Sequence, residues 1–230
     1  MATKYRLGHK PRRLHTSPSR RFRRWRLLIL LLGIAAIAFG LFGIISYFNV
    51  KQGGVPAPTH TATQSPDKPS EQPVPPSYNV RADQPKEINL PTIKAKGFIQ
   101  KVAVDKNNQI VAPGNIHMAG WYTGSVKPGE PGLSIIDGHV NGVYAKAVFY
   151  DLIRLKANDT FTVTYGDNSV RTFKVVKIEA VPVAQATKAL FERDESITSQ
   201  LNVITCGGKY IAETQTYDGR VIVTAEAIAP

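Results

Sequence analysis

Residues 89–230 predict a mainly β domain, a closed barrel or a sandwich carrying short helices. Short apolar runs recur there, turn residues punctuate them, and only two brief stretches have helical composition. The run FIQKVAVD (98–105) alternates with the period-two pattern of a strand. GLSIIDG (132–138) is a short apolar run that ends in a turn. AVFYDLIRL (147–155) is predicted as a short helix. Residues 160–183 read as a β-hairpin turning at Gly166-Asp167-Asn168, three residue types that favour turns. AQATKALFERDE (184–195) has helical spacing, and LNVIT (201–205) and RVIVTAEAI (220–228) read as strands. No internal repeat is present.

Ahead of this domain the chain changes character three times. Residues 1–26 hold ten Lys and Arg and no acid, whereas the other 204 residues hold 19 basic and 17 acidic side chains. The net charge of +12 is therefore a property of the N-terminus. Leu27 to Phe48 follows as 22 residues without a charge. As a helix it would rise about 33 Å, enough to cross the hydrocarbon core. Trp25, Tyr47 and Phe48 stand at its ends, where aromatic rings favour the membrane interface. A cleaved signal peptide would have a shorter apolar region and a small-x-small site after it, and YFNVKQGG is a poor one. The sequence thus predicts a retained anchor over 27–48, with 1–26 as a cytoplasmic tail and the rest outside the cell membrane. Basic residues followed by an anchor also argue against a nucleic-acid partner. Residues 49–88 are rich in Pro, Ser, Thr and Gln and hold half of the sixteen prolines, the composition of a disordered linker.

Outside the membrane disulfides can form, yet Cys206 is the only cysteine. A lone exported cysteine is a buried small hydrophobe, an intermolecular bridge or a nucleophile. Cys206 closes LNVIT ahead of Gly207-Gly208, which predicts a thiol at a sheet rim with open approach on the glycine side. That position favours the nucleophile. A thiol nucleophile needs a base or a cationic neighbour. His139 follows a strand end and a glycine in IIDGHVNG, where a side chain reaches a sheet edge; His117, among small and apolar neighbours, reads as structural or surface. Asp137 either orients the histidine or caps the turn. Arg220 opens the last strand after YDG and offers a fork of donors for carbonyl or carboxylate oxygens. Thr205, next to the thiol, adds a hydroxyl. One cysteine and two domain histidines lack close ligand spacing for a metal, and no nucleotide-binding glycine motif occurs, so no cofactor is expected; calcium dependence is not legible.

GHVNG, ITCGG and RVIVTA, in that order, resemble the three signature segments of the sortases, membrane-anchored cysteine transpeptidases of Gram-positive-type surfaces. AGWYTGSVKPGEPG and AVFYDL also resemble sortase framework, closest to the class labelled F, although the subclass stays open. Asn202-Val203-Ile204 stands where the family usually has Thr-Leu before Thr-Cys. The resemblance covers about residues 90–230 and implies a closed barrel of about eight strands. It also implies Cys206, His139 and Arg220 as catalytic residues, with Thr205 supporting. The implied reaction is cleavage of an LPxTG-like sorting signal on exported proteins, followed by acyl transfer to an amine of a peptidoglycan precursor or a pilin lysine. Other exported cysteine enzymes of the wall fit less well. An L,D-transpeptidase would show Gly-Cys followed closely by Arg, and an NlpC/P60-type peptidase would place its cysteine before the histidine. The rival of a different class is a catalytically silent anchored barrel that binds wall polymer or a surface protein.

Overall fold

The computed structural model describes residues 59–60 and 77–228. The expected tail, the anchor and most of the linker lie outside the described residues.

Ten strands are described: β1 (Thr59–His60), β2 (Pro85–Leu90), β3 (Ala95–Val102), β4 (Gln109–Ile110), β5 (Ala119–Tyr122), β6 (Gly132–Gly138), β7 (Thr160–Tyr165), β8 (Val170–Pro182), β9 (Ser199–Ile211) and β10 (Thr216–Ile228). Eight of them close into a barrel in the order β10-β8-β7-β2-β3-β5-β6-β9, while β1 and β4 form a separate parallel pair. Closure removes the sheet edges that a sandwich would leave. β2 begins at Pro85, so the linker-to-domain boundary expected at 88/89 falls inside a barrel strand. β6 has the bounds expected from GLSIIDG, and β7 and β8 form the expected hairpin. In its turn Asn168 takes a left-handed φ of 67°, and the Asp167 carboxylate accepts from the Ser169 amide at 2.8 Å.

Two helical expectations are corrected. Over 147–155 the chain makes successive three-residue turns, including the 3-10 helix Leu152–Arg154, instead of an α-helix. The amides of Tyr150, Leu152, Arg154 and Leu155 each donate to the carbonyl three residues back. Phe149, Leu152 and Leu155 are all buried, and a spacing of three suits a 3-10 turn, which stacks such side chains on one face. The second helix, α1 (Val183–Phe191), stops at Glu192, which is extended, short of the expected 195. The Gln200 side chain ends it: its Nε2 donates to the Glu192 carbonyl at 2.9 Å and its Oε1 accepts from the Asp194 amide at 2.8 Å.

β9 and β10 sort their side chains by parity, as a two-residue repeat requires. Leu201, Val203, Val221, Val223 and Ala225 point into the barrel with Phe149, Phe161 and Phe173. Ile204 and Ile222 belong to a second cluster on the outer face, with Ile135 of β6, Val102, Ile110 and Leu190 of α1. That covered outer face also carries the candidate chemistry.

Candidate active site

β9 and β10 run antiparallel with Cys206 directly opposite Arg220. Directly opposite residues share a face, so the thiol and the guanidinium lie side by side on the outer surface. β6 runs parallel to β9 and carries Asp137 opposite Ile204. Continuing that register brings the Gly138-His139 step level with Thr205-Cys206. The Thr205 hydroxyl closes this step, donating to the Gly138 carbonyl at 2.7 Å. A Cβ on Gly138 would lie 2.5 Å from the Phe149 ring, so only glycine lets the chain pass there before presenting His139. Three segments distant in sequence thus meet through one parallel and one antiparallel pairing.

Two local expectations do not hold. Cys206 does not end its strand at an open rim. β9 continues through Gly207, which pairs with Gly219, to Ile211, and Cys206 is only 7% exposed. The glycines mark a bulge instead of a stop: Gly208 has φ +82°, the register shifts between Tyr217 and Gly219, and Asp218 accepts from the Lys209 amide at 2.7 Å. Arg220 likewise does not open its strand, which starts at Thr216, and it is buried. Both strands run on past their polar residue, which a reading of single strands cannot foresee.

The burial sets the electrostatics. Removal from water pushes the Cys206 thiol up to about 12; the Arg220 charge pulls it back and the Asp137 carboxylate adds to the rise. The resting group at neutral pH is the thiol. Burial also pulls Arg220 downward, opposed by Cys206 and Asp137. The guanidinium is anchored through Nη1, which donates to the carbonyls of Gly219 at 2.6 Å and Tyr217 at 3.2 Å. Asp137 is buried on the same face, in electrostatic reach of thiol and arginine, and so acts on both.

His139 is buried and its Nε2 lies 2.7 Å from the Pro113 carbonyl. A carbonyl only accepts, so Nε2 carries the hydrogen and Nδ1 is the nitrogen through which a neutral ring can take a proton. The Pro113 carbonyl orients the ring. Nothing in the sequence singled out this partner, 26 residues upstream in an irregular loop. A second unforeseen contact is the Tyr217 hydroxyl, which donates to Asn141 Oδ1 at 2.8 Å and joins the segment after His139 to the base of β10. Tyr217 also stacks edge-on against Tyr210, with centroids 5.3 Å apart. Thr205 turns its hydroxyl to Gly138 and so ties β9 to the residue before His139. His117 lies elsewhere, in a cavity wall with Lys94, Lys96 and Lys146 that contains none of these residues. Among the described residues no group of acids, histidines and cysteine has the arrangement of a metal site.

A buried thiol and an anchored guanidinium on one barrel face, with an oriented imidazole in the residue after the end of the neighbouring strand β6, make up a candidate acyl-transfer site of the cysteine type. The Sortase domain family matches residues 88–228, more than half of the sequence, and the chain belongs to that family. As a sortase it is a cysteine transpeptidase. Among solved structures it is similar to sortase C from Streptococcus pneumoniae, with 19% identity over 66% of this chain and 72% of that chain and a TM-score of 0.50. It is also similar to sortase A from Corynebacterium diphtheriae, with 24% identity over 65% and 64% of the two chains and a TM-score of 0.49. Sortase C-1 from Actinomyces oris matches with 22% identity over 63% and 73% and a TM-score of 0.47. At these identities the likeness concerns the fold alone. No curated protein matches this chain.

Proposed function

We propose that this sortase is held in the cell membrane by residues 27–48, with its N-terminus in the cytoplasm and its barrel outside. There it cleaves an LPxTG-like sorting signal of exported proteins and passes the acyl group to an amine of a wall precursor or a pilin. The observation that carries the reading is the pairing of Cys206 with Arg220 across β9 and β10, together with a His139 that follows the adjacent strand β6 and whose Nε2 is committed to Pro113.

The residues divide the chemistry as follows. His139 Nδ1 takes the proton from Cys206 Sγ as the sulfur attacks the scissile carbonyl carbon. Arg220 neutralises the developing oxyanion or holds the substrate backbone. The tetrahedral adduct collapses, the C–N bond breaks, and His139 returns its proton to the leaving amine. A thioester remains on Cys206. An incoming amine loses a proton to His139, attacks the thioester carbon and releases the thiolate, which recovers the proton. The raised thiol pKa suits an enzyme that ionises only with substrate in place, because an unoccupied site then stays unreactive. Thr205 and Gly138 set the height of the histidine against the thiol.

The test is intact-mass analysis of the full-length chain incubated with a library of sorting-signal peptides. An acyl adduct on Cys206 is expected, discharged by added amine. A chain that cleaves nothing while folded would favour the silent barrel.

A further inference from the structure

The segment that follows His139 folds back on itself and builds one wall of the cavity that contains His117. The Phe149 amide donates to the His139 carbonyl at 3.1 Å. Asn141 and Lys146 form an isolated antiparallel bridge. Asn141 is the residue that holds Tyr217, so the wall of this cavity is one bridge away from the base of the strand carrying Arg220. The cavity is open, about 250 Å³ in volume, and polar, and Lys94, Lys96, His117 and Lys146 line it with Tyr150 and Asp151. Its charge is positive once the neighbouring acids are placed. Glu87 pairs with Lys96 at 3.1 Å, and Arg154 takes Asp151 at 3.1 Å. Among the described residues neither Lys94 nor Lys146 forms an ion pair. The Lys146 ammonium sits 4.2 Å from the centre of the Tyr150 ring, a cation–π contact between two residues of the cavity lining. Tyr150 in turn is in electrostatic reach of Tyr217, which feels Cys206.

We infer that this basic cavity is a subsite for the amine acceptor, and that it selects acceptors whose amine is carried by an anionic group, a phosphate or a carboxylate. The inference rests on the transpeptidase reading. Two ammonium groups without carboxylate partners, on the far side of the histidine's own loop, are placed to hold the charged body of an acceptor while its amine reaches the thioester. The cavity's lining includes none of Cys206, His139 and Arg220. The cavity contributes to the second half-reaction and leaves the first untouched.

The experiment follows acyl transfer by the full-length chain from one Leu-Pro-x-Thr-Gly peptide to three amines with the same N-terminus: Gly-Gly-Ser amide, Gly-Gly-Asp amide and Gly-Gly-phosphoserine amide. Products of transfer and of hydrolysis are separated by mass. Transfer to at least one anionic amine should exceed transfer to the neutral one by about fivefold, the size two exposed ion pairs supply. The preference should shrink as salt is raised. Preference for the phosphate or for the carboxylate arm alone identifies the source of the charge. Lys94→Gln with Lys146→Gln should abolish the preference while acyl-enzyme formation and hydrolysis stay unchanged, and Lys146→Glu should turn the preference toward the neutral amine. Equal use of all three amines, or an unchanged preference in the double variant, overturns the inference. A chain that forms no acyl-enzyme overturns the transpeptidase reading and the acceptor role with it. Calorimetry with inorganic pyrophosphate then still decides on the cavity: binding lost in the double variant upholds an anion site, and absence of binding in the wild type removes it.

Discussion

The inner and outer faces of β9 and β10 use the same backbone for opposite purposes. Inside, Leu201, Val203, Val221 and Val223 pack into the barrel core. Outside, at the alternate positions of each strand, Cys206, Arg220 and Thr224 are buried groups set beside Ile204 and Ile222. The inner face gains stability from each apolar group it removes from water. The outer face gives some of it up, since a thiol and a guanidinium are held under cover where water would solvate them better. A covered outer face strengthens local electrostatics and keeps the thiol protonated, so in the proposed reading its buried polar groups serve chemistry at the expense of stability. A strand can carry both tasks because its side chains alternate.

The comparison is broken most sharply at the thiol. Cys206→Ala should abolish cleavage and transfer, since no other thiol exists in the chain, while the melting temperature stays close to wild type. His139→Ala should lower turnover by roughly 10²- to 10⁴-fold. Wild-type turnover in Cys206→Ala would refute the outer-face assignment.

The shelter of the thiol is tested by pH. With its pKa at about 12, the substrate-free thiol should alkylate about a thousandfold more slowly at pH 7 than an ordinary cysteine, because thiolate is the reactive form. The rate should climb between pH 9 and 12 instead of levelling near 9. Stability follows the same sign. Below pH 9 both states are protonated; above it the unfolded chain loses the proton first, so the folded state loses stability relative to Cys206→Ala as pH rises through that window. Coincident pH profiles for the melting of the two proteins would show that the thiol is not sheltered.

Arg220 should register on both scales. Arg220→Ala is expected to cost roughly 10²- to 10³-fold in turnover, as for a lost oxyanion donor. It should also cost about 1–3 kcal/mol in stability, because the carbonyls of Gly219 and Tyr217 lose their donor. Arg220→Lys should recover part of the stability but little turnover, since an ammonium cannot reproduce the anchored fork.

The inner face should show the reverse signature. Leu201→Ala, fully buried on the same strand as the thiol, should lose about 2–5 kcal/mol by denaturant melt, with turnover per folded molecule nearly unchanged. A turnover loss comparable to that of Arg220→Ala would erase the distinction between faces.

Smallest is the Asn141 clasp. Tyr217→Phe removes one partly buried hydrogen bond, worth about 1 kcal/mol. Turnover should fall several-fold with little change in the melt, read as a kcat effect at constant acceptor concentration.

Much of this was legible in the chain. Gly132–Gly138 read as a strand from its apolar run, and Gly166-Asp167-Asn168 as a turn from residue types that accept that geometry. The segments of His139, Cys206 and Arg220 stood out in order, and the resemblance they carry matches the family found over residues 88–228. Misreadings fell where a partner strand or a side chain overrode a local signal. Gly207 resembled a strand end but pairs with Gly219. The helix of 184–195 was cut short by Gln200, and the apolar run of 147–155 chose a repeat of three.

The sequence by itself determined the family, the three segments and the alternation along each strand, because these are properties of neighbouring residues. Tertiary structure alone decided that β6 lies parallel to β9, that the Thr205 hydroxyl is spent on Gly138, that Pro113 fixes the imidazole and that the thiol is buried. Each of these depends on which distant strand or loop supplies the neighbour. A repeat of two tells that side chains alternate, but only the closed barrel tells what each face meets.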